Sequence, residues 1–519
     1  MEINKESRTV KSLRNTSIAF IGQIISIFLG FFNRTIFINI LGYKYLGISG
    51  LFSNILSLLS IAEMGFGTAI TYTMYKPIAE NDESKIAALL NLFRKVYYAI
   101  GTFVAIAGIA LIPFLNVIVG DVSQLPKDLP PIAVIYLLYL SNTVLSYFFS
   151  YKRSIIMASQ NGFIDSMNFL FFTILRNVLQ VVLLFTTKSF ILYLIIQIAS
   201  TILENINIAR IADRKFSTVI KNRSARLPQE DINDIKKNVF AMASYKLGYA
   251  VVTGTDNILI TNLVSLYVNG LYSNYVLIAS TVQELYRQII QPITSSIGNL
   301  VATGSSEDSY VVFKKIMFIN GFLAIFCTVC LMNLINPFIQ ILWKEESLLP
   351  SVFVYLYTLN FFITCNRECC RMYIDSVGLF WYVRWKTVAE AILNLFFSIL
   401  LAKYFNMGIY GIVLGTIISN LFTNFWWEPY VVYSKVFHKS IFSYYYDYLK
   451  IVVVLFICSV LTVLATSSID VSILGFIGKG IITVLITIGV FVAFNFRSDE
   501  FKYFIELIGS IVKKVLVRG

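Results

Sequence analysis

The sequence is poor in charged residues and has almost no histidine. Only 14% of its 519 residues are charged, against about 25% in a typical soluble domain. Its single histidine, His438, excludes histidine-based zinc sites and any Ser-His or Cys-His pair that does not use that residue. A Walker A loop and a glycine-rich dinucleotide turn are also missing. We therefore expect no catalytic residues, no metal and no cofactor, and the chain is not predicted to be an enzyme.

The cysteines are few and lie in or beside apolar segments. Cys327-x-x-Cys330 has the spacing of redox and metal sites, but the flanking residues read as a plain membrane helix. Free cysteine packs as a small hydrophobic residue. We interpret all six as apolar packing residues: Cys327, Cys330, Cys365, Cys369, Cys370 and Cys458.

Long apolar runs make up most of the chain. Hydrophobic residues account for 57% of it, and the mean hydropathy is +0.73. The runs predict an all-α polytopic membrane protein with about fourteen transmembrane helices, since roughly 20 apolar residues cross a hydrocarbon core. The predicted spans lie near 16–41, 46–75, 86–113, 131–157, 163–186, 189–212, 237–264, 267–300, 312–341, 349–376, 380–403, 409–433, 449–466 and 472–495.

Two halves of the chain repeat each other. Gly50-Leu51-Phe52-Ser53-Asn54 recurs as Gly270-Leu271-Tyr272-Ser273-Asn274, and Phe93-Arg94-Lys95 recurs as Phe313-Lys314-Lys315. Six spans per half predict two parallel repeats, the architecture of a transporter whose substrate path lies between them. The predicted domains are a six-helix bundle, a basic cytoplasmic linker, a second six-helix bundle, and two extra transmembrane helices with an amphipathic tail: 1–213, 214–236, 237–440 and 441–519.

The distribution of basic residues predicts the orientation. Lysines and arginines concentrate in alternate connections and in the linker, which by the positive-inside rule are cytoplasmic together with both termini. The net charge of +13 then indicates contact with anionic membrane lipids and not with nucleic acid.

Several ionisable residues fall inside predicted spans, where they are costly and usually face a cavity or a partner. Four cations form a predicted ladder for a substrate with an anionic headgroup, because arginine binds phosphate through two parallel hydrogen bonds. Three carboxylates are predicted to act in gating or ion coupling. The predicted headgroup residues are Arg34, Arg176, Lys246 and Arg287, and the predicted gating residues are Asp256, Glu63 and Glu284.

Two alternatives stay open for these charges. A cation near the end of a span, such as Arg34, can extend its side chain to the interface, and Glu284 can simply neutralise Arg287 at helical spacing. Aligning the repeats places Arg34 opposite Asp256, so we expect these two residues to pair when the outer mouth is closed.

Several short motifs resemble the polysaccharide transport branch of the multidrug/oligosaccharidyl-lipid/polysaccharide (MOP) exporter superfamily. The motifs are Asn33-Arg34-Thr35-Ile36-Phe37, Leu41-Gly42-x-x-x-Leu46-Gly47, Gly50-Leu51-Phe52, Glu63-Met64-Gly65-Phe66-Gly67 and Met407-Gly408-x-x-Gly411. The resemblance implies a V-shaped pair of bundles around a cationic cavity, which opens alternately to each side. It also implies a cavity arginine at Arg34.

By this resemblance the expected function is a flippase in the bacterial plasma membrane. Its substrate would be an undecaprenyl-diphosphate-linked oligosaccharide repeat unit, moved to the outer leaflet for surface polysaccharide biosynthesis. Whether the glycan polymerase machinery is a partner is left open. Two alternatives remain, an ion-coupled small-molecule or multidrug exporter of the same superfamily and a peptidoglycan lipid-precursor flippase. A membrane-embedded glycan polymerase is disfavoured because the predicted outer loops are short.

Overall fold

The structure is a computed structural model, and its described part is entirely helical apart from turns and short connections. It describes residues 8–60, 73–74, 77–78, 80–119, 125–126, 128–159, 161–233, 235–236, 254–303, 305–506 and 509. By contacts the chain divides into two compact units, an amino-terminal unit, Met1–Gly270, and a carboxy-terminal unit, Leu271–Gly519. The predicted all-α fold class is confirmed.

In the amino-terminal unit, long helices alternate with short connections. They are α1 (Arg8–Leu41), α2 (Tyr43–Leu59), α3 (Glu83–Ala110), α4 (Leu115–Val119), α5 (Ile132–Ala158), α6 (Gly162–Thr187), α7 (Phe190–Lys215) and α8 (Ser217–Lys221). Residues 254–263 are also helical, and α9 (Leu266–Thr303) begins in this unit. The main packing pairs are α1 with α6, α3 with α5, α5 with α7, and α6 with α7.

In the carboxy-terminal unit α9 continues, and two of the later spans are interrupted. The helices are α10 (Ser306–Trp343), α11 (Ser351–Asn366), α12 (Glu368–Val377), α13 (Phe380–Ile399), α14 (Gly408–Phe422), α15 (Asn424–Val432), α16 (Phe442–Thr466) and α17 (Ile473–Asn495). Helix α10 packs against α11, α16 and α17, while α13 packs along α14.

Nine helices in the described part of the chain are long and apolar enough to cross a membrane, or ten when the bent helix α5 is counted. The predicted spans 46–75 and 237–264 run into residues outside the described ranges. The predicted span 349–376 is a pair of helices, α11 and α12, with Arg367 at the junction. The chain is therefore a multi-pass membrane protein.

Close glycine contacts explain the tight packing of α14 on α13 and on the helical turn that follows it, Leu400–Tyr404. A Cβ at Gly411 would lie 2.5 Å from the backbone nitrogen of Ala402, and one at Gly415 would lie 2.5 Å from that of Ser398. Small residues allow such approach of helix backbones in membranes. This contact gives a packing reason for Gly411, the last residue of the Met407-Gly408-x-x-Gly411 motif.

The basic linker is attached to the amino-terminal unit. The Asn91 side-chain amide donates hydrogen bonds to the carbonyl oxygens of Asn222 (2.9 Å) and Ala225 (3.2 Å). Lys85 Nζ lies 2.8 Å from Asp231 Oδ2. Helix α3 thus holds both ends of the 222–231 stretch.

Candidate substrate-binding site

Two of the predicted cations extend from neighbouring positions in the amino-terminal unit. Arg34 lies on α1 and Arg176 on α6, and each is next in the chain to one member of the hydrogen-bonded pair Asn33 and Asn177 (2.8 Å). Both lie within electrostatic range of Tyr193 on α7. Each side chain is partly buried. The structure thus brings together two cations that are 142 positions apart in the numbering of the chain. Their substrate-binding role stays a prediction.

A buried amide network lies beside these two arginines. The Asn33 side-chain amide donates to Asn177 Oδ1 at 2.8 Å and to Gln180 Oε1 at 3.0 Å, and Gln180 Nε2 donates to the Tyr193 carbonyl at 3.2 Å. Asn33 directly precedes Arg34, and Asn177 directly follows Arg176. The network therefore fixes the two backbone positions from which the arginines extend. It pairs the Asn33 and Gln180 nitrogens with the Asn177 and Gln180 oxygens and the Tyr193 carbonyl, groups that would be costly if left unpaired in an apolar interior.

The other predicted residues of this unit are Asp256, Glu63 and Lys246. Asp256 is partly buried in the helical stretch 254–263. Glu63 and Lys246 lie outside the described residues. The pairing of Arg34 with Asp256, like the gating and headgroup roles of Glu63 and Lys246, stays a prediction.

A second charge cluster in the amino-terminal unit joins α5, α6 and α7. The Arg153 guanidinium lies 2.7 Å from Asp165 Oδ1 and 2.6 Å from Glu204 Oε1. Lys152 pairs with Asp213 at 2.7 Å. Glu204 is therefore paired with Arg153, and these contacts hold the predicted cytoplasmic ends of three helices together.

In the carboxy-terminal unit, Arg287 on α9 has a partner on another helix. Its Nε lies 3.6 Å from Glu368 Oε1, the same oxygen that accepts a 3.0 Å hydrogen bond from Arg371 Nη1. Glu284 lies one turn before Arg287 on the same helix and is exposed. Sequence reasoning weighed Glu284 as the neutralising residue for Arg287 and missed Glu368, because nothing in the sequence indicates which helix packs against Arg287.

The helix junction between α11 and α12 positions Glu368. The carbonyl oxygen of Cys365 accepts hydrogen bonds from the Tyr286 hydroxyl at 2.9 Å and from Asn320 Nδ2 at 3.3 Å, and Asn320 Nδ2 also donates to the Asn366 carbonyl at 3.0 Å. These side chains satisfy carbonyl groups at the interrupted helix, as irregular backbone inside a membrane requires. Tyr286 immediately precedes Arg287, so the same contacts fix Arg287 relative to Glu368.

On the other side of this junction lies a deeply buried four-charge cluster. Glu428 Oε1 accepts hydrogen bonds from Arg367 Nη2 at 2.6 Å and from Lys386 Nζ at 2.7 Å. Glu390 lies farther from the two cations, at 3.7 Å from Arg367 and 3.8 Å from Lys386, and accepts a 2.6 Å bond from Asn424. Lys386 and Glu428 are each 1% exposed.

The sequence patterns give Glu390 and Glu428 no role, and the positive-inside rule counts Lys386, near the start of the predicted span 380–403, among the cytoplasmic basic residues. The structure instead places Lys386 inside α13, facing the protein interior. A usable signal was present, because Lys386 and Glu390 are four residues apart within a predicted span, the spacing of a helical ion pair. Arg367 and Glu428 come from other helices and carry no such signal.

All six cysteines are free. The predicted packing role fits the four that are buried. Among the described residues no cluster of three or more histidine, cysteine or acidic side chains is arranged to hold a metal ion.

Comparison with known proteins defines the fold. No family model matches the sequence, and no curated protein matches it. Among solved structures, it is similar to the lipid II flippase MurJ in an inward closed conformation, with a TM-score of 0.61 and 17% identity over 92% of this chain and 98% of MurJ. It is also similar to a multidrug resistance MATE transporter in an inward-facing conformation, with a TM-score of 0.58 and 13% identity over 79% of this chain and 94% of that one.

The chain has the MurJ/MATE fold. Both neighbours are members of the MOP superfamily and are transporters, not enzymes.

The chain also matches a MATE transporter in an outward-facing conformation, at a TM-score of 0.53 and 12% identity over 79% of its length. The MurJ match extends over more of the chain than either MATE match. At these identities the likeness concerns the fold, within which the substrate is determined by local side chains.

Proposed function

We propose that this protein is a flippase for undecaprenyl-diphosphate-linked oligosaccharides. It would move the repeat unit from the cytoplasmic to the outer leaflet of the bacterial plasma membrane, with both of its termini in the cytoplasm. The observation that carries this proposal is the buried network of Asn33, Asn177 and Gln180, which holds together the positions on α1 and α6 from which Arg34 and Arg176 extend.

The chemistry of this pair suits a diphosphate. A guanidinium offers parallel N–H donors to phosphate oxygens, and two guanidiniums on separate helices can each bind one phosphoryl group. In an apolar surrounding their attraction for an anion is less screened than in water. The same charges would repel a cationic drug, which disfavours the small-molecule exporter alternative.

The fold supports translocation by alternating access. Its solved neighbours include inward-facing and outward-facing members, so the fold exists in both states that such a cycle needs. The broad match to MurJ makes peptidoglycan lipid precursor a second candidate substrate, because it too is a diphosphate-linked glycan lipid. The predicted gating residues Asp256, Glu63 and Glu284, and the predicted headgroup residues Lys246 and Arg287, belong to this proposal.

The sidedness of glycan lipids tests the proposal. Cells depleted of the protein would be complemented with the wild type, Arg176→Ala or Arg223→Ala, the last an exposed linker arginine that serves as a control. We expect diphosphate-linked repeat units to accumulate on the cytoplasmic leaflet in depleted cells and with Arg176→Ala. Accumulation of peptidoglycan precursor instead would support the second candidate. Normal sidedness of both lipids would overturn the flippase proposal and favour small-molecule export.

A further inference from the structure

We propose that Glu368 is an internal competitor of the substrate for Arg287, and that Arg371 is a further headgroup ligand. The carboxylate would hold the two arginines when no substrate is bound and yield them to a diphosphate. This inference rests on the proposed function and names residues of the carboxy-terminal unit that the sequence did not indicate.

The geometry shows one carboxylate oxygen shared by two guanidiniums. Glu368 Oε1 lies 3.0 Å from Arg371 Nη1 but 3.6 Å from Arg287 Nε, beyond hydrogen-bond distance. A guanidinium is bound best by two parallel hydrogen bonds, and the 3.6 Å contact gives Arg287 a single ion pair with this carboxylate. The contact with Arg287 is therefore the weaker one and the easier to exchange.

The two arginines are more exposed than Glu368, as the replacement of Glu368 by a substrate anion would require. Arg287 is 38% exposed and Arg371 is 23% exposed, while Glu368 is 12% exposed. The two cations are thus more accessible than the carboxylate that holds them. An anion approaching from the accessible side meets the guanidiniums before it meets Glu368.

The backbone around the three residues is held in place. Tyr286, adjacent to Arg287, donates to the Cys365 carbonyl, and Asn320 joins the carbonyls of Cys365 and Asn366. Tyr286 and Asn320 are themselves buried. Because α9 and the α11–α12 junction are fixed to each other, Arg287 and Arg371 stay within reach of the same carboxylate oxygen.

The ligand class follows from two neighbouring guanidiniums that share one carboxylate oxygen. A diphosphate can offer each arginine a phosphoryl group of its own, with two parallel hydrogen bonds to each, whereas a monophosphate must divide the oxygens of one phosphoryl group between them. We therefore expect the competition with Glu368 to increase the ratio of diphosphate to monophosphate affinity.

Binding of defined probes to the full-length protein in nanodiscs tests the inference. The probes are farnesyl diphosphate, farnesyl monophosphate and inorganic pyrophosphate, the last separating lipid-borne from free diphosphate. For Glu368→Gln we expect roughly tenfold tighter binding of farnesyl diphosphate, because a hydrogen bond to a charged group is lost only in the unbound state. Arg371→Gln should weaken binding of the same probe by about tenfold and lower the ratio of diphosphate to monophosphate affinity.

Three further variants make the test decisive. Glu307→Gln, which removes an exposed carboxylate paired with Lys439 at 2.7 Å, serves as the matched control and should leave all affinities unchanged. The double variant Glu368→Gln/Arg371→Gln should bind farnesyl diphosphate more weakly than Glu368→Gln alone. Arg287→Gln should lose affinity as Arg371→Gln does. Thermal unfolding of each variant identifies any that fails to fold.

The outcomes separate the two proposals. Unchanged or weaker diphosphate binding by a folded Glu368→Gln protein, with normal binding by the wild type, overturns the competitor role alone. If the wild type binds none of the prenyl probes, diphosphate-lipid recognition itself fails, and the competitor role fails with it. Equal tightening for the monophosphate and the diphosphate overturns the bridging role of Arg371.

Discussion

The guanidinium of Arg367 chelates the carboxylate of Glu428, with Nε 3.0 Å from Oε2 and Nη2 2.6 Å from Oε1. Lys386 binds the same carboxylate from another helix at 2.7 Å. Glu428 therefore receives three charge-assisted hydrogen bonds in a place that solvent hardly reaches. Removing one member of a buried charge group leaves its partners uncompensated, which is strongly destabilising.

Glu428→Gln should lower the free energy of unfolding by about 3–5 kcal/mol, because it leaves two buried cations with only the distant Glu390. Lys386→Met should cost less, since Glu428 keeps its bidentate partner Arg367. Thermal unfolding in detergent or nanodiscs measures both, with the exposed Asp499→Asn as control. A larger loss for Lys386→Met than for Glu428→Gln would contradict this order.

Asn33→Leu should destabilise the amino-terminal unit by about 1–3 kcal/mol, because the buried acceptors on Asn177 and Gln180 both lose their donor. It should also weaken transport, since Arg34 and Arg176 extend from the backbone that this network holds. Asn39→Leu, at an exposed position of the same helix, is the control. Equal unfolding temperatures for the two variants would show that the network contributes no stability.

Gly415→Ala should destabilise the carboxy-terminal unit by about 1–3 kcal/mol through overpacking. Its new methyl group would lie against Ser398 Oγ and 2.5 Å from the Ser398 backbone nitrogen. Gly478→Ala on α17 has nothing within 4 Å and should stabilise its helix slightly, by about 0.5–1 kcal/mol. The sign of the shift in unfolding temperature should therefore differ between the two variants.

Exchanging the charges of Arg34 and Asp256 tests their predicted pairing at the outer mouth. Arg34→Asp and Asp256→Arg should each abolish export of the glycan lipid, because each brings like charges together. The double variant should restore the pair, read as recovery of surface polysaccharide and of lipid sidedness. If a double variant that is present in the membrane recovers neither surface polysaccharide nor lipid sidedness, the predicted pairing is wrong.

Features that depend on local chain composition were predictable from the sequence. Apolar runs gave the helical class, and the predicted span 380–403 matches α13 with its following turn to within a few residues. Isolated charges in apolar runs identified Arg34, Arg176 and Arg287 as unusual, and the structure gives each a specific polar surrounding.

Features that depend on contacts between distant helices could not be read from the sequence. Nothing in the sequence distinguishes three of the amides from the others, because they form a network only when α1 and α6 pack together: Asn33, Asn177 and Gln180. Arg367 and Glu368 fall inside the predicted span 349–376, and nothing in the sequence shows that this span is interrupted between them or which helices face them. Only the packing of α9 and α15 on either side turns these residues inward.

Arg367 and Glu368 are neighbours in the chain, yet each contacts a different set of charges. Successive residues of a helix are rotated by about 100°. Deleting or inserting one residue in α11 would therefore rotate its junction with α12 and carry both side chains away from their partners at once. Two separate charge clusters constrain this junction, so the fold should tolerate an insertion in an exposed loop far better than one in α11.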